Sequence, residues 1–176
     1  MIRPHFQTVI DDLRLIEKLA PYDPVIIGTP PLGIDGPDSD IDIACTAASL
    51  EEFAEAVSDL LSDGGPVTVK NVNKLSEPAV TVSTHAQGWD IEIFAQSLPT
   101  TEQWGVRHFR IEQRLLGLHE GVRDRIKSLR TQGLKTEPAF AALLGLPGDD
   151  PYAALLLLED ESDEQLRLRL SEKGLR

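Results

Sequence analysis

Two pairs of acidic residues have the residue types and the spacing of a metal-binding site. Asp40 and Asp42 are two residues apart in SDIDI, and Asp90 and Glu92 are two residues apart in WDIEIF. Side chains two positions apart on a β-strand point to the same face, so each pair presents two carboxylates on one side of its strand. Neighbouring carboxylates repel each other, and a bound Mg²⁺ removes that penalty. If the two strands are neighbours in a sheet, three or four carboxylates converge.

A hard oxygen cluster of this kind suits phosphate chemistry, because two Mg²⁺ ions about 3.5–4 Å apart can hold a triphosphate and an attacking oxygen in line. The loop before the first pair could contact the phosphates. Gly28 ends an apolar run and lets the backbone approach a ligand, and the Thr29 hydroxyl can donate a hydrogen bond. The alternative is an edge strand with a solvated face after a turn-rich loop, and the second acidic pair argues against it.

Two known motifs fail in the stretch GTPPLGIDGPDSDIDI. A P-loop needs Lys followed by Ser or Thr after its second glycine, where the chain has Ile34 and Asp35. A calcium-binding EF-hand loop would place its turn glycine at Ile43 and its bidentate glutamate at Ser49. Residue identity therefore excludes both motifs.

Length, charge and cysteine content narrow the class of protein. The chain has 176 residues, about the length of one domain, and a formal net charge of -12. That charge disfavours long nucleic acid, whose phosphates attract chiefly Lys and Arg. No apolar run approaches the ~20 residues of a membrane helix, so we expect a cytoplasmic protein without a membrane partner. The single cysteine, Cys45, excludes an internal disulfide, and its position after an apolar strand pattern predicts a buried structural role.

The strands that must carry the acids are indicated by alternation and by β-branched residues. VIIG predicts a short buried strand that ends at Gly28, and SDIDIAC predicts a second strand from Ser39. Three further strands are predicted at PVTVKNV, AVTVST and WDIEIFA. In this pattern Ile41 and Ile43 anchor the second strand in the core while its acids face a cleft.

Helices precede and follow these strands. Apolar spacing predicts a helix over Thr8–Leu19, and Ser49 as N-cap predicts another over SLEEFAEAVSDLLSDGG. Beyond Pro99 we expect helices at roughly Glu102–Leu118, Glu120–Gln132, Glu137–Leu144, Pro151–Leu157 and Asp163–Lys173. The order of strands first and helices second predicts an α+β fold with flanking helices and a C-terminal helical segment. We expect a core domain over residues 1–98 and a helical region over residues 99–176 that packs on the core.

Several blocks of the chain resemble the nucleotidyltransferase superfamily, which has the DNA polymerase beta-like fold. Its signature is a glycine and a hydroxyl residue after the first strand, Asp-x-Asp on the second and a further acid on a later strand. More closely, the chain resembles a bacterial family known as domain of unknown function 4269. The matching blocks are YDPVIIGTPPLGIDGPDSDIDI, IEIFAQ, the pair Arg107 and His108, and LKTEPAFAALLGLPGDDPY.

The resemblance implies a nucleotidyltransferase-like mixed β-sheet, two Mg²⁺ ions and an NTP substrate. Asp40 and Asp42 would be the first two metal ligands and would be catalytic. Glu92 would be the third ligand and would also be catalytic, helping to deprotonate the attacking hydroxyl, with Asp90 as the substitute candidate for the third ligand. The residues implied to contact the nucleotide are Gly28, Thr29 and Ser39.

Basic residues later in the chain allow two interpretations. They could lie on solvated helix faces, with Thr136 as the N-cap of a helix that has Pro138 in its first turn. Alternatively, Arg107, His108 and Lys135 could reach into the cleft, where they would neutralise triphosphate charge or contact the acceptor.

The leading hypothesis is a Mg²⁺-dependent nucleotidyltransferase that moves a nucleoside monophosphate from an NTP to an acceptor hydroxyl. The acceptor would be a small molecule, a protein side chain or an RNA end, and the acidic charge favours the first two. One alternative is a nucleotide-binding regulatory module, or a toxin–antitoxin or defence component, with little turnover. Another is a metal-dependent phosphohydrolase that uses the same acids.

Overall fold

A five-stranded mixed β-sheet carries Asp42 and the pair Asp90 and Glu92, and Asp40 lies just before its second strand. The computed structural model describes residues 3–73 and 77–175, and the sheet lies within these residues. Its strands are β1 (Val25–Ile27), β2 (Ile41–Thr46), β3 (Thr68–Val72), β4 (Ala79–Ala86) and β5 (Trp89–Gln96), in the order β1-β2-β5-β4-β3. Only β2 and β5 pair in parallel, and the other three pairings in the sheet are antiparallel. Every strand predicted from the alternation is present, but the predicted start of the second strand at Ser39 is wrong, because β2 begins at Ile41 and Asp40 lies just before it.

One face of the sheet forms the core of the first part of the chain. On β2 the side chains of Ile41 and Ile43 are buried while Asp42 between them is half-buried, and Ile91 and Ile93 on β5 are buried in the same way. This alternation follows from the two-residue period of a strand. Helix α4 (Leu50–Leu61) supplies further apolar side chains to the same core. As predicted, its N-cap is Ser49, whose hydroxyl accepts from the Glu52 N–H.

Cys45 lies in this core and is fully buried. Burial raises the pKa of its thiol to about 12, and the negative charge of Asp23 acts in the same direction. The thiol therefore stays protonated at neutral pH, and the predicted structural role is confirmed.

The predicted single helix over Thr8–Leu19 is wrong, because the chain forms α1 (Phe6–Asp12) and α2 (Leu15–Lys18) instead. Between them Arg14 has a positive φ of 53°, which interrupts helical geometry. On one straight helix of 3.6 residues per turn, Leu15 would lie on a different side from Ile10. The interruption between the two helices allows both Ile10 and Leu15 to be buried.

The chain after β5 is helical. Its helices are α5 (Trp104–Leu118), α6 (Gly121–Thr131), α7 (Thr136–Leu144), α8 (Pro151–Leu156) and α9 (Asp163–Glu172). These helices bury a second apolar cluster that includes Leu115, Phe140 and Leu166. The α+β fold predicted from the order of the elements is therefore confirmed. No helix in the part of the chain that the structure describes is long and apolar enough to cross a membrane.

The predicted N-cap of α7 is wrong by one residue. Helix α7 begins at Thr136, so Lys135 occupies the N-cap position, and its side chain makes no capping hydrogen bond. The backbone N–H groups of the first helical turn have no intrahelical acceptor, so Pro138 is tolerated at the third helical position as well as at the first.

The described residues form two compact units. The first comprises the chain up to Pro31 together with Gly36–Val106, and the second comprises Leu32–Asp35 with the chain from Arg107 onward. The sheet and its core belong to the first unit, and the second apolar cluster belongs to the second unit. The division into domains at residue 98 stays a prediction.

Two paired valines on the core face test how far the core extends toward the edge strand β3. Val82 on β4 and Val69 on β3 lie opposite each other, but Val82 is fully buried whereas Val69 is 47% exposed. We expect Val82→Ala to lower the free energy of unfolding by about 2 kcal/mol, because it leaves a cavity. Val69→Ala should change it by less than about 0.5 kcal/mol. Urea denaturation followed by circular dichroism measures both values, and equal losses would contradict the conclusion that the core ends before Val69.

Candidate metal centre

Strand pairing brings the two acidic stretches together. In the parallel register of β2 and β5, Asp42 lies opposite Glu92, and Ile43 lies opposite Ile93. Since facing residues of paired strands point to the same side of the sheet, both isoleucines enter the core and both acids lie on the other face. Burial of the isoleucines on one face therefore fixes the positions of Asp42 and Glu92 on the other face.

Three carboxylates converge on this face. Asp40, Asp42 and Glu92 each offer an oxygen, and the three oxygens lie within 4.8 Å of one another. All three residues are half-buried. Mg²⁺ binds oxygens at about 2.0–2.1 Å, so oxygens that share one ion lie within about 4.2 Å of one another, close to the spacing of these three. A set of three carboxylates fits a hard cation such as Mg²⁺ better than Zn²⁺, which is more often held by His and Cys.

Electrostatic repulsion is present within this group. Burial raises the pKa of the Glu92 carboxyl above its usual value, and the negative charge of Asp40 raises it further. The ammonium of Lys70 lowers this pKa, and Asp90 adds a smaller increase. A bound divalent cation would offset both the burial of the carboxylate and the repulsion, because it favours the charged form of each ligand.

Asp90, the substitute candidate for the third ligand, does not belong to the converging group. Its side chain is 77% exposed, and its Oδ1 lies 2.8 Å from Nδ1 of His85 on β4. Asp90 shares a face with Glu92 but lies two residues earlier on β5, a displacement of about 6.6 Å along the strand. The geometry therefore favours Glu92 over Asp90 as a ligand.

Gly28 lies directly against the acidic group. Its neighbour Ile27 pairs with Asp42 across β1 and β2, and Gly28 itself has a φ of +81°. A Cβ atom at position 28 would overlap with Oδ2 of Asp42. Glycine is thus required here for two reasons, the left-handed backbone and the space taken by the carboxylate. Its predicted contact with phosphate stays a prediction.

Thr29 and Ser39 connect the two ends of the loop between β1 and β2. Their hydroxyl oxygens lie 2.8 Å apart, and the Gly36 N–H donates to the Ser39 hydroxyl at 2.9 Å. The loop begins with the one-turn helix α3 (Thr29–Leu32), whose two prolines are tolerated because they lie in the first turn. The two hydroxyls predicted to contact the nucleotide are therefore adjacent. Their contact with the nucleotide stays a prediction.

The three basic residues predicted to contact the ligand belong to the second compact unit. Arg107 donates to Oε2 of Glu159 through Nε at 2.9 Å and through Nη2 at 2.5 Å. His108 is buried, and its Nε2 donates to the Tyr152 carbonyl at 2.9 Å. Lys135 precedes α7. Their predicted contacts with triphosphate or acceptor stay predictions.

Glu112 is a buried acid that the sequence reasoning missed. Its side chain is 4% exposed, and among the described residues its Oε1 has no hydrogen-bond partner. Burial raises its pKa well above the usual value, Glu137 raises it further and Arg130 lowers it. The available signal was spacing, because Glu112 lies between Ile111 and Leu115 on the buried side of α5.

The family model for the domain of unknown function DUF4269 matches residues 8–158. Among curated proteins, no sequence matches. The structure resembles the Cid1 poly(U) polymerase with bound MgGTP, with a TM-score of 0.55 and 13% identity over 86% of this chain and 47% of that chain.

Two further structures have a similar fold. Cid1 in complex with its short product ApU has a TM-score of 0.53 and 12% identity over 86% of this chain and 46% of that chain. A cytoplasmic RNA terminal U-transferase has a TM-score of 0.53 and 13% identity, with the same coverage of 86% and 46%. The chain thus spans somewhat less than half the length of the structures it matches. The similarity confirms the predicted nucleotidyltransferase-like fold.

Substitution of Gly28 should separate backbone strain from damage to the acidic group. Gly28→Ala and Gly174→Ala both place alanine at a similar positive φ, +81° and +85°. Of the described residues, none places an atom within 4 Å of a Cβ at position 174, whereas a Cβ at position 28 displaces Asp42. Both variants should lose about 1 kcal/mol of stability. Only Gly28→Ala should also weaken Mn²⁺ binding, by about 10-fold or more, in titration calorimetry. Equal Mn²⁺ affinity of the two variants would contradict the contact.

Glu112 should make the protein less stable as the pH rises. The folded state raises the pKa of Glu112, so the folded protein holds this proton at pH values where the unfolded chain has released it. The free energy of unfolding of the wild type, relative to that of Glu112→Gln, should therefore fall from about pH 4.5 upward. Urea denaturation at a series of pH values measures this difference. The exposed acid Glu164 provides the control, because Glu164→Gln should show no such fall.

Proposed function

The chain belongs to the family described as domain of unknown function DUF4269, and we propose that it is a Mg²⁺-dependent nucleotidyltransferase. It would transfer a nucleoside monophosphate from an NTP to an acceptor hydroxyl and release pyrophosphate. The observation that carries the proposal is the convergence of Asp40, Asp42 and Glu92 within 4.8 Å, at the start of one strand and on its parallel neighbour. The similarity in fold to the Cid1 poly(U) polymerase supports it.

Each acid has a role in this proposal. Asp40 and Asp42 would hold the ions that bridge the triphosphate, and Glu92 would hold the second ion and help to remove the proton from the acceptor hydroxyl. When bound, Mg²⁺ supplies neutralisation of the triphosphate charge. Glu92 suits a proton acceptor because its carboxylate also lines the cavity beside the acids, where an acceptor hydroxyl would lie.

The proposed reaction makes one bond and breaks one bond. The acceptor oxygen forms a bond to the α-phosphorus of the NTP, and the bond from that phosphorus to the oxygen bridging to the β-phosphate breaks. The hydroxyl proton leaves through Glu92. Most of the rate enhancement would come from positioning and from charge stabilisation by the fixed groups of the site.

The loop between β1 and β2 would contact the phosphates. Gly28 brings backbone next to Asp42, and the hydroxyls of Thr29 and Ser39 lie 2.8 Å apart. Hydroxyl groups both donate and accept, so these two can exchange their mutual hydrogen bond for bonds to phosphate oxygens. This arrangement supports a role for all three residues in nucleotide binding.

A cavity beside the acids supports a small acceptor. It has a volume of about 310 Å³ and includes Asp40 and Glu92 in its lining. The other lining residues are Pro66, Thr68, Ser83, Thr84, His85 and Asp90. Such a volume lies at the lower end of the range for small-molecule sites, and its hydroxyl and acidic lining suits a polar ligand better than a polyanion. We therefore propose a small molecule or a protein side chain as the acceptor, rather than an RNA end.

Isosteric removal of charge tests the assignment of the acids. We expect Asp40→Asn, Asp42→Asn and Glu92→Gln each to lower the rate of nucleotidyl transfer by at least about 100-fold, which corresponds to about 2.7 kcal/mol of transition-state stabilisation. The matched control is Asp38→Asn, which should keep the wild-type rate. Asp38 is an exposed acid that lies two residues before Asp40, outside the converging group. Purified proteins are incubated with NTPs labelled at the α-phosphate, Mg²⁺ and cell extract, and the labelled product is quantified. Equal labelling by wild type and by the three variants would refute the assignment.

The same incubation distinguishes the classes of acceptor and the competing function. Filtration separates a labelled small molecule from labelled protein, and ribonuclease treatment identifies a labelled RNA. If the wild type binds a non-hydrolysable NTP with Mg²⁺ but labels nothing, it acts as a nucleotide-binding regulatory module instead. In either case EDTA should abolish nucleotide binding by the wild type, because the ions connect the acids to the triphosphate.

A further inference from the structure

The side chain of Arg3 joins the loop in front of Asp40 to the start of β5. Its Nη1 donates to the carbonyls of Pro37 and Ser39 at 3.0 and 2.9 Å, and its Nη2 donates to the Gly36 carbonyl at 2.6 Å. The guanidinium carbon also lies 3.5 Å from the ring centre of Trp89, which is buried. The Arg3 side chain thus contacts both the loop that leads into β2 and the first residue of β5.

The backbone around Arg3 is itself held in place. The indole Nε1 of Trp89 donates to the Pro4 carbonyl at 2.9 Å. A Cβ at Gly88 would lie 3.3 Å from Cβ of Arg3, so the chain near Arg3 packs closely against the turn between β4 and β5. The guanidinium is therefore presented to the loop from a restrained position.

The loop carries three carbonyl groups that face one cation. A guanidinium offers five N–H donors in a planar fork, and hydrogen bonds to a charged donor are stronger than neutral ones. On its other side the loop is held by the Ser39 hydroxyl, which accepts from the Gly36 N–H and contacts the Thr29 hydroxyl. Together these bonds determine the position of Ser39, the residue next to Asp40.

Asp40 needs such a restraint more than the other two acids do. Asp42 and Glu92 are residues of β2 and β5, and their positions follow from the hydrogen-bond register of the sheet. Asp40 precedes β2, which begins at Ile41, so the ladder does not fix it. Its position depends on the loop instead.

We propose that Arg3 is a positioning residue for the metal centre, which holds the Gly36–Ser39 loop so that the Asp40 carboxylate meets those of Asp42 and Glu92. The inference rests on the proposed function, since it assumes that the three acids bind a metal ion. Residues that orient metal ligands typically change metal affinity by 10- to 100-fold when they are substituted.

Two substitutions of Arg3 separate its charge from its geometry. Arg3→Lys keeps the positive charge next to Trp89 but removes the planar fork of N–H donors. Arg3→Met removes the charge and the fork. We expect both variants to bind Mn²⁺ about 10- to 100-fold more weakly than the wild type, measured by electron paramagnetic resonance of free Mn²⁺ below the unfolding temperature of every variant. In the transfer assay the Mg²⁺ concentration for half-maximal rate should rise, and saturating Mg²⁺ should restore most of the rate. A purely structural role would lower stability without this shift.

The control is Arg14→Met, which removes another arginine from the same compact unit. Arg14 is exposed and pairs with Glu17, and it should leave Mn²⁺ affinity unchanged. Mn²⁺ affinity within two-fold of the wild type in the Arg3 variants, or an equal loss in Arg14→Met, would overturn the inference alone. Failure of the wild type itself to bind Mn²⁺ would overturn the proposed function and the inference together. Should Arg3→Met not fold, Arg3→Lys decides the question.

Discussion

The parallel pairing of β2 with β5 is the constraint on which the rest of the site depends. The register places Ile43 opposite Ile93 in the core and Asp42 opposite Glu92 on the other face. A slip of one residue would turn every side chain of a strand to the opposite face and would bury an acid in an apolar core. The hydrophobic effect on one side of the sheet therefore enforces the convergence of charge on the other side.

That convergence has an electrostatic cost that the sheet can sustain. Burial and the neighbouring Asp40 both raise the pKa of Glu92, and Lys70 on β3 offsets only part of that effect. The apolar burial beneath the acids stabilises the strands by roughly 1.5–3 kcal/mol for each isoleucine, which opposes the repulsion between the carboxylates. A site prepared in this way would bind a divalent ion with little rearrangement, because the repulsion that the ion would relieve is already present.

Side chains from distant parts of the sequence complete the site where the ladder ends. Gly28 leaves the space that the Asp42 carboxylate occupies, and the fork of Arg3 holds the loop before Asp40. The guanidinium of Arg3 packs on the ring of Trp89, at the start of β5. The acids on the sheet are thus fixed by backbone pairing, whereas the acid on the loop is fixed by side-chain contacts.

The sequence by itself determined which residues share a face, because side-chain direction in a strand is a local property with a period of two. SDIDI and WDIEIF revealed the acidic pairs for that reason, and Ser49 revealed the start of α4 through its local capping hydrogen bond. Only the tertiary structure decided that Glu92 rather than Asp90 lies opposite Asp42. It also decided that the first predicted helix is interrupted at Arg14 and that Arg3 contacts the loop. Each depends on which distant segments pack together, and that choice is made by burial of the whole core, which no local pattern encodes.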